Sequence, residues 1–98
     1  ADAFVLLAAS DSTLAWSGRD WWEDFSAAAG DVVDVSAFMA GGSFIGMAAF
    51  GGVAKQVRMV HTGTSWTDLL GDVDGDAAAD WAVSIPYAPT LTGAAFLF

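Results

Sequence analysis

Four aspartates fall within nine residues of the stretch Gly-Asp-Val-Asp-Gly-Asp-Ala-Ala-Ala-Asp, at residues 71–80. They occupy positions 1, 3, 5 and 9 of a calcium-loop pattern: Asp72, Asp74, Asp76 and Asp80. Side-chain oxygens at these positions of a turning loop converge on one hard cation, and the backbone carbonyl at position 7, here Ala78, adds a further oxygen. Without a cation, carboxylates held so close together repel one another. The spacing therefore predicts a calcium loop at residues 72–80.

The predicted loop is shorter than an EF-hand loop, which ends on a bidentate Glu at position 12. Position 12 is Val83 in this chain, so the spacing fits the short calcium loops of dockerin-like and integrin-propeller-like proteins better. Position 6, where a sharp turn favours glycine, is Ala77. The alternative interpretation is a solvated, metal-free, Asp-rich turn between two strands.

The segments outside this loop favour β-strands. Apolar and β-branched residues alternate with period two between turn signals, and no long helical stripe is present. We therefore expect an all-β domain, with a short helical turn at 26–30 and an irregular crossing at 86–91 around two prolines. The predicted strands cover residues 4–7, 33–36, 43–45, 54–61, 65–70, 81–85 and 96–98.

Composition limits the partners of the chain. Its 98 residues suffice for one domain, and eleven aspartates and one glutamate against three basic residues give a net charge of −9. Nucleic acid and anionic membranes are therefore unfavourable partners. Cysteine is absent, which excludes disulfides and thiolate metal sites within the chain.

Residues 35–54 form a run of twenty without a charge, long enough to be weighed as a membrane span. Five glycines interrupt the run, and each lowers helix preference by roughly 1 kcal/mol relative to alanine. Short strands joined by Gly-Gly turns suit the run better, so we expect no span. The apolar start at 1–9 carries Asp2 and no basic region, so we expect no signal peptide and export by another route.

Five short motifs follow one another along the chain. They are Asp-Ala-Phe-Val-Leu at 2–6, Asp-Trp-Trp-Glu-Asp-Phe at 20–25, Gly-Asp-Val-Val-Asp-Val-Ser at 30–36, Val-Arg-Met at 57–59 and the Asp-rich stretch at 71–81. In order and spacing they resemble the C-terminal domain of serralysin-type RTX metalloproteases, calcium-binding β-roll proteins. The resemblance runs nearly end to end. It differs at Ala77, in place of the loop glycine, and at Ala95, where that family usually has an acidic residue.

The resemblance implies a single domain over residues 1–98. Residues 1–36 would be the end of a parallel β-roll, and residues 37–98 an antiparallel, β-sandwich-like cap carrying the loop 72–80. It implies a secreted, extracellular, non-catalytic folding domain that binds calcium and is exported by the type I secretion machinery through its apolar tail. That tail is Phe96, Leu97 and Phe98. A second set of candidate calcium ligands follows from the resemblance and from clustering: Asp20, Asp24, Asp31 and Asp34. The alternative interpretation is that these four aspartates are outward-facing charges on strands that keep the domain soluble.

An enzymatic function has little support in the sequence. His61 is the only histidine, so a zinc site of the His-Glu-x-x-His type cannot form within the chain. A metalloprotease parent would keep its active site elsewhere. As a base for a neighbouring Ser or Thr nucleophile, His61 is a weak candidate, because a lone histidine at a strand end usually has no catalytic role.

Five tryptophans raise a second functional class, a calcium-dependent carbohydrate-binding or adhesive β module. Trp21 and Trp22 are adjacent, so in a strand they point to opposite faces and one is available for a glycan. The simpler interpretation places Trp16, Trp66 and Trp81 in the core. Folding that depends on calcium, without a response to sugars, separates the secretion domain from the glycan-binding module.

Overall fold

Eight strands, one short α-helix and the 3-10 helices Ala9–Asp11 and Gly93–Ala95 are the regular elements in the described part of the chain. The structure is a computed structural model that describes residues 3–14, 18–22, 25–26, 29–62, 66–85 and 91–98. The helix, α1, spans Ser36–Met39. The strands are β1 (Ala3–Val5), β2 (Asp20–Trp21), β3 (Val32–Asp34), β4 (Ser43–Phe44), β5 (Gln56–Thr62), β6 (Trp66–Asp72), β7 (Trp81–Ile85) and β8 (Phe96–Leu97). The predicted all-β class is confirmed.

The larger sheet has five strands in the order β2-β7-β6-β5-β4. Its centre is antiparallel, and Leu69 of β6 lies between Met59 of β5 and Val83 of β7. These three side chains are buried, as period-two alternation predicts for one face of a sheet. The two-residue strands β2 and β4 are parallel to their neighbours and form the edges.

The smaller sheet is parallel and has the order β1-β3-β8. Val33 of β3 lies between Phe4 of β1 and Phe96 of β8. Val33 and Val35 are fully buried, whereas Asp34 and Ser36 are not, so the predicted alternation in this segment is confirmed. The predicted strand at the carboxyl end is also paired, through β3.

One hydrophobic core serves both sheets. The ring of Phe44 in β4 stacks on Phe96 in β8 with centroids 4.4 Å apart, and Phe38 of α1 meets Trp81 of β7 edge-on at 6.1 Å. Such ring pairs add about 0.5–1.5 kcal/mol to the burial of their area. The buried cluster contains Leu6, Trp22, Phe25, Val33, Val35, Met39, Val57, Met59, Leu69, Trp81, Val83, Ile85, Leu91, Ala95 and Phe96.

Two elements were not expected from the sequence. Strand β2 has only two residues, too short for a detectable period, and it pairs with β7 across a long separation. Helix α1 begins where Asp34 Oδ1 accepts hydrogen bonds from the backbone N–H and the hydroxyl of Ser36. This local bond favours the helical turn inside a glycine-rich run that indicated strands.

Parts of other predictions fall outside the described residues. In the segment 26–30, Ala29 N–H donates to the carbonyl and the hydroxyl of Ser26, consistent with the predicted turn, while residues 27 and 28 are not described. The crossing at 86–90 and Trp16 are likewise outside the described residues. Within the described ranges, no helix is long and apolar enough to span a membrane.

We predict that Gly71→Ala strongly destabilises the domain. A Cβ atom on Gly71 would lie 2.0 Å from the Trp81 indole, which therefore must move within a close-packed core. Overpacking of this kind lowers the free energy of unfolding by about 1–3 kcal/mol. Urea denaturation measures the loss. Gly93→Ala is the matched control, because a Cβ there meets nothing within 4 Å, and an equal loss in both variants would contradict the prediction.

Candidate metal centre

The Asp-rich segment forms the loop that joins β6 to β7. The last pair of the hairpin is Gly71 with Trp81, and Asp80 N–H donates to the Gly71 carbonyl at 2.7 Å. Val73 N–H in turn donates to Asp80 Oδ2 at 2.7 Å. These two bonds close the neck of the loop, so its first and last aspartates are brought together by the antiparallel register.

Asp72 organises the interior of the loop. Its side chain is fully buried, its Oδ1 accepts from Gly75 N–H and its Oδ2 from Ala77 N–H, both at 2.9 Å. Burial alone raises the pKa of Asp72, but the backbone donors outweigh it and the net pKa lies below its usual value. Asp72 therefore stabilises the fold above its unfolded-state pKa of about 3.9, and that contribution is lost as the pH falls through the lower folded-state pKa.

The other three carboxylates are more open to solvent. Asp74 and Asp76 are exposed and Asp80 is half-buried. Asp76 Oδ1 accepts from Ala78 N–H at 2.9 Å. The pKa of Asp74 is raised, first by desolvation and then by Asp76 and Asp80 nearby, because a further negative charge there is unfavourable. The loop thus concentrates negative charge that its own backbone N–H groups only partly offset.

The four aspartates predicted from the sequence form one cluster. One carboxylate oxygen from each of Asp72, Asp74, Asp76 and Asp80 lies within 4.8 Å of the others. Oxygens bound to calcium at about 2.3–2.6 Å can be at most about 5 Å apart, whereas magnesium at about 2.0–2.1 Å limits them to about 4.2 Å. An all-oxygen donor set of this span could hold a metal ion and is compatible with calcium, without being specific for it. Ala78 contributes an N–H to Asp76, and its role as a carbonyl ligand stays a prediction.

The backbone of the loop contains two left-handed residues. Gly75 has φ 80° and Ala77 has φ 65°. Ala77 thus keeps the turn that glycine makes in such loops, at a conformational cost of roughly 1–2 kcal/mol. Gly75 also has no room for a side chain, since a Cβ there would lie 2.9 Å from Ala54 N. The segment ending at Lys55 therefore lies directly against the loop.

Lys55 contacts the loop through its backbone and not through its charge. Its N–H donates to the Asp72 carbonyl at 2.7 Å, while its ammonium group donates to the Ala40 carbonyl at 3.1 Å. Among the described residues, no salt bridge joins a basic side chain to the loop aspartates. The contact of Lys55 with the loop could not be predicted from the sequence. The Gly-Gly pair at 51–52 indicates a turn, but nothing in the sequence indicates that the residues after it lie against the end of β6.

The second set of candidate ligands is not gathered in the described residues. Asp31 Oδ2 accepts from Ser26 N–H at 2.9 Å, and Asp34 Oδ1 accepts from Ser36, which lowers the pKa of Asp34. Asp20 lies in the other sheet from Asp34. Asp24 is outside the described residues, and within them the loop cluster is the only acidic group close enough to hold a metal. A second ion site stays a prediction.

The aromatic residues and His61 have mixed environments. Trp81 and Trp22 are buried, Trp66 is half-buried, and Trp21 is 44% exposed with its ring 5.9 Å from that of Trp66. Adjacent tryptophans thus point to different environments, as expected, and glycan binding by Trp21 stays a prediction. His61 Nδ1 is 2.8 Å from Thr67 Oγ1, and Thr67 is fully buried, which gives a substrate no access to that hydroxyl.

Of the predicted export tail, Phe96 is buried and Phe98 is half-buried, whereas Leu97 is exposed. The tail is therefore part of the folded domain. No protein-family model matches the chain, and a search of curated proteins finds no match either.

We predict that Ala77→Gly stabilises the metal-free domain. Glycine adopts the left-handed conformation without the strain that alanine has there. Because glycine also has the greater entropy in the unfolded chain, the net gain in the free energy of unfolding is at most about 1 kcal/mol. This corresponds to a rise in melting temperature of about 4–8 °C per kcal/mol, measured by circular dichroism in chelator. Ala78→Gly, at a position without a positive φ, should be neutral or destabilising. A gain in both variants would contradict the role of φ.

Proposed function

We propose that the domain is a non-catalytic, calcium-binding folding module. The observation that carries this proposal is the gathering of four aspartate carboxylates within 4.8 Å, at the neck of a hairpin whose backbone supports them. Each carboxylate has about four lone-pair sites, so accepting one or two N–H groups leaves capacity for a cation. Calcium, when bound, would supply positive charge to Asp72, Asp74, Asp76 and Asp80. These residues would hold it, and no reaction step is assigned to the domain.

A cation at this loop would favour the folded chain by mass action. The ligands converge only when β6 and β7 are paired, so the unfolded chain lacks the preformed site. A ligand that binds only the folded state adds about 2.7 kcal/mol at a hundredfold excess over its Kd. That amount is large against a total stability of about 5–15 kcal/mol. The domain would therefore fold more completely where calcium is abundant.

We propose further that the domain belongs to a secreted protein of the serralysin-like RTX type, a metalloprotease among the candidates. The support is the motif order in the sequence together with the parallel pairing of β1 with β3, which would be the end of a β-roll within residues 1–36. An unfolded chain would leave the cytosol through the type I secretion machinery and fold outside the cell. The apolar tail at 96–98 would be the segment that this machinery reads.

The calcium proposal is tested by thermal unfolding in chelator and in about 5 mM calcium. The wild type should melt about 4–19 °C higher with calcium, because 5 mM is about 5 to 50 times a Kd of 0.1–1 mM and each kcal/mol raises the melting temperature by about 4–8 °C. Asp74→Asn should melt slightly higher than the wild type in chelator, because Asp74 faces repulsion from Asp76 and Asp80. The same variant should lose most of the calcium response.

Asp74→Asn should thus raise the melting temperature in chelator but reduce the rise caused by calcium. A variant that merely damaged the fold would lower the melting temperature in both conditions. Asp11→Asn removes the same charge outside both sets of candidate ligands and should keep the full calcium response. An unchanged melting temperature of the wild type between chelator and calcium would make the loop an ordinary turn. A reduced response in Asp11→Asn equal to that in Asp74→Asn would attribute the effect to overall charge.

The export proposal is tested with the chain fused to the carboxyl end of a passenger, in cells that contain a type I transporter. Deletion of 96–98 should abolish the appearance of passenger in the medium. The double variant Met47→Ser and Val53→Ser is the control, because both residues are exposed and apolar but outside the tail. Export that persists without the tail would contradict its role as the recognised segment.

A further inference from the structure

A short backbone bridge connects the Asp-rich loop with strand β4. Lys55 N–H donates to the Asp72 carbonyl at 2.7 Å, and the Lys55 carbonyl accepts from Ser43 N–H at 3.0 Å. One residue therefore bonds to the first aspartate of the loop on one side and to the start of β4 on the other. A displacement of Asp72 must move Lys55 or break one of these bonds.

Lys55 occupies an unfavourable backbone conformation to make this bridge. Its φ is 64°, in the left-handed region that side-chain-bearing residues rarely adopt. Its ammonium group is fixed on the Ala40 carbonyl at 3.1 Å, which adds a third hydrogen bond at the same residue. Such a conformation persists where the surroundings determine it strongly. The bridge is thus a defined junction and not an incidental contact.

Gly42 lies between Lys55 and the carboxyl end of the chain. A Cβ on Gly42 would lie 2.4 Å from the Lys55 carbonyl oxygen and 2.9 Å from Cδ1 of Phe98. The Lys55 carbonyl and the Phe98 ring therefore pack on the same glycine. Because Gly42 has no positive φ, this space is what requires glycine at the position.

The tail is held on the same strand by its aromatic rings. Phe98 stacks on Phe96 with centroids 5.7 Å apart, and Phe96 stacks on Phe44 of β4 at 4.4 Å. Leu97 between them is exposed and pairs with Asp34 of β3, and its carbonyl accepts from the N–H of Val35, which follows β3. Both phenylalanines of the tail thus rest on β4 and on the turn before it.

We infer that the Asp-rich loop and the carboxyl-terminal strand order as one cooperative unit through the junction of Lys55, Gly42 and Phe98. The unit makes ordering of the loop and burial of the tail mutually dependent. Resting on the proposed function, calcium at the loop then makes opening of the apolar tail rarer, and release of calcium makes it more frequent. Recognition of the tail is favoured in the calcium-free chain.

The first test needs no metal. Hydrogen exchange, followed by mass spectrometry in chelator, reports the amides of Gly75 and Ala77 in the loop and those of 94–98 in the tail. Gly42→Ala should speed exchange in both segments by about tenfold or more, while the centre of β5, β6 and β7 keeps its protection. Gly51→Ala, whose Cβ meets only a side-chain oxygen at 4.0 Å, should change both by less than about twofold. Faster exchange in one segment alone would overturn the inference.

A milder pair of variants keeps the test decisive if Gly42→Ala unfolds. Phe98→Ala removes the ring from Gly42, and Leu97→Ala removes an exposed side chain from the same strand. The phenylalanine variant should speed loop exchange in chelator and the leucine variant should leave it unchanged. Equal loop exchange in Phe98→Ala and in the wild type would overturn the coupling.

Calcium titration supplies the reciprocal measurement. If calcium slows tail exchange in the wild type, Phe98→Ala should weaken calcium binding by a comparable factor, about fivefold or more, because coupling between two sites is reciprocal. Leu97→Ala should leave the Kd within about a factor of two. Calcium binding that is identical in Phe98→Ala would overturn the coupling and leave the proposed function standing. Absence of calcium binding in the wild type would refute the proposed function, and the exchange data in chelator would still decide the coupling.

Discussion

The packing of the Trp81 indole on Gly71 is the contact on which the rest of the structure depends. Trp81 is the first residue of β7 and is fully buried, and Gly71 is its partner on β6. The ring fills the space that any side chain at Gly71 would take, so it fixes the register of the hairpin at its loop end. The next residues toward the loop are Asp72 and Asp80. The contact of Trp81 with Gly71 therefore lies at the boundary between the hydrophobic core and the acidic cluster, and it holds both in place.

The acidic cluster imposes an electrostatic requirement on this small domain. With a net charge of −9, the chain gathers four of its twelve acidic residues in one loop and aims backbone N–H groups at them. The N–H groups stabilise Asp72 enough to lower its pKa, but they leave Asp74 with a raised pKa. The charged form of Asp74 is disfavoured first by desolvation and then by the like charges of Asp76 and Asp80, so a cation there would relieve the repulsion. The remaining geometry of the loop, including the turn at Gly75, follows from bringing these groups together.

The sequence was most informative where the structure is local. Spacing of aspartates placed all four members of the cluster, since a nine-residue loop closes on itself, and alternation placed β5, β6 and β7 within two residues of their ends. Strand β2 and helix α1 escaped detection because each depends on a partner elsewhere in the chain or on a single side-chain bond. The contact of Lys55 with Asp72 has no signal in the sequence, because it is made by main-chain atoms that every residue carries. For Asp20, Asp31 and Asp34, closeness along the chain gives no ligand geometry, and the second ion site stays a prediction.

The left-handed alanine of the loop has a consequence for the concentration at which the loop would respond. Strain in the folded loop is subtracted from the free energy of folding. Where folding and ion binding are coupled, each 1.4 kcal/mol therefore multiplies the calcium concentration needed for half-folding by about ten. Ala77, with φ 65°, therefore sets a higher threshold than glycine would at the same place. Under the proposed calcium binding, the single methyl group of Ala77 thus raises the calcium concentration at which the domain folds.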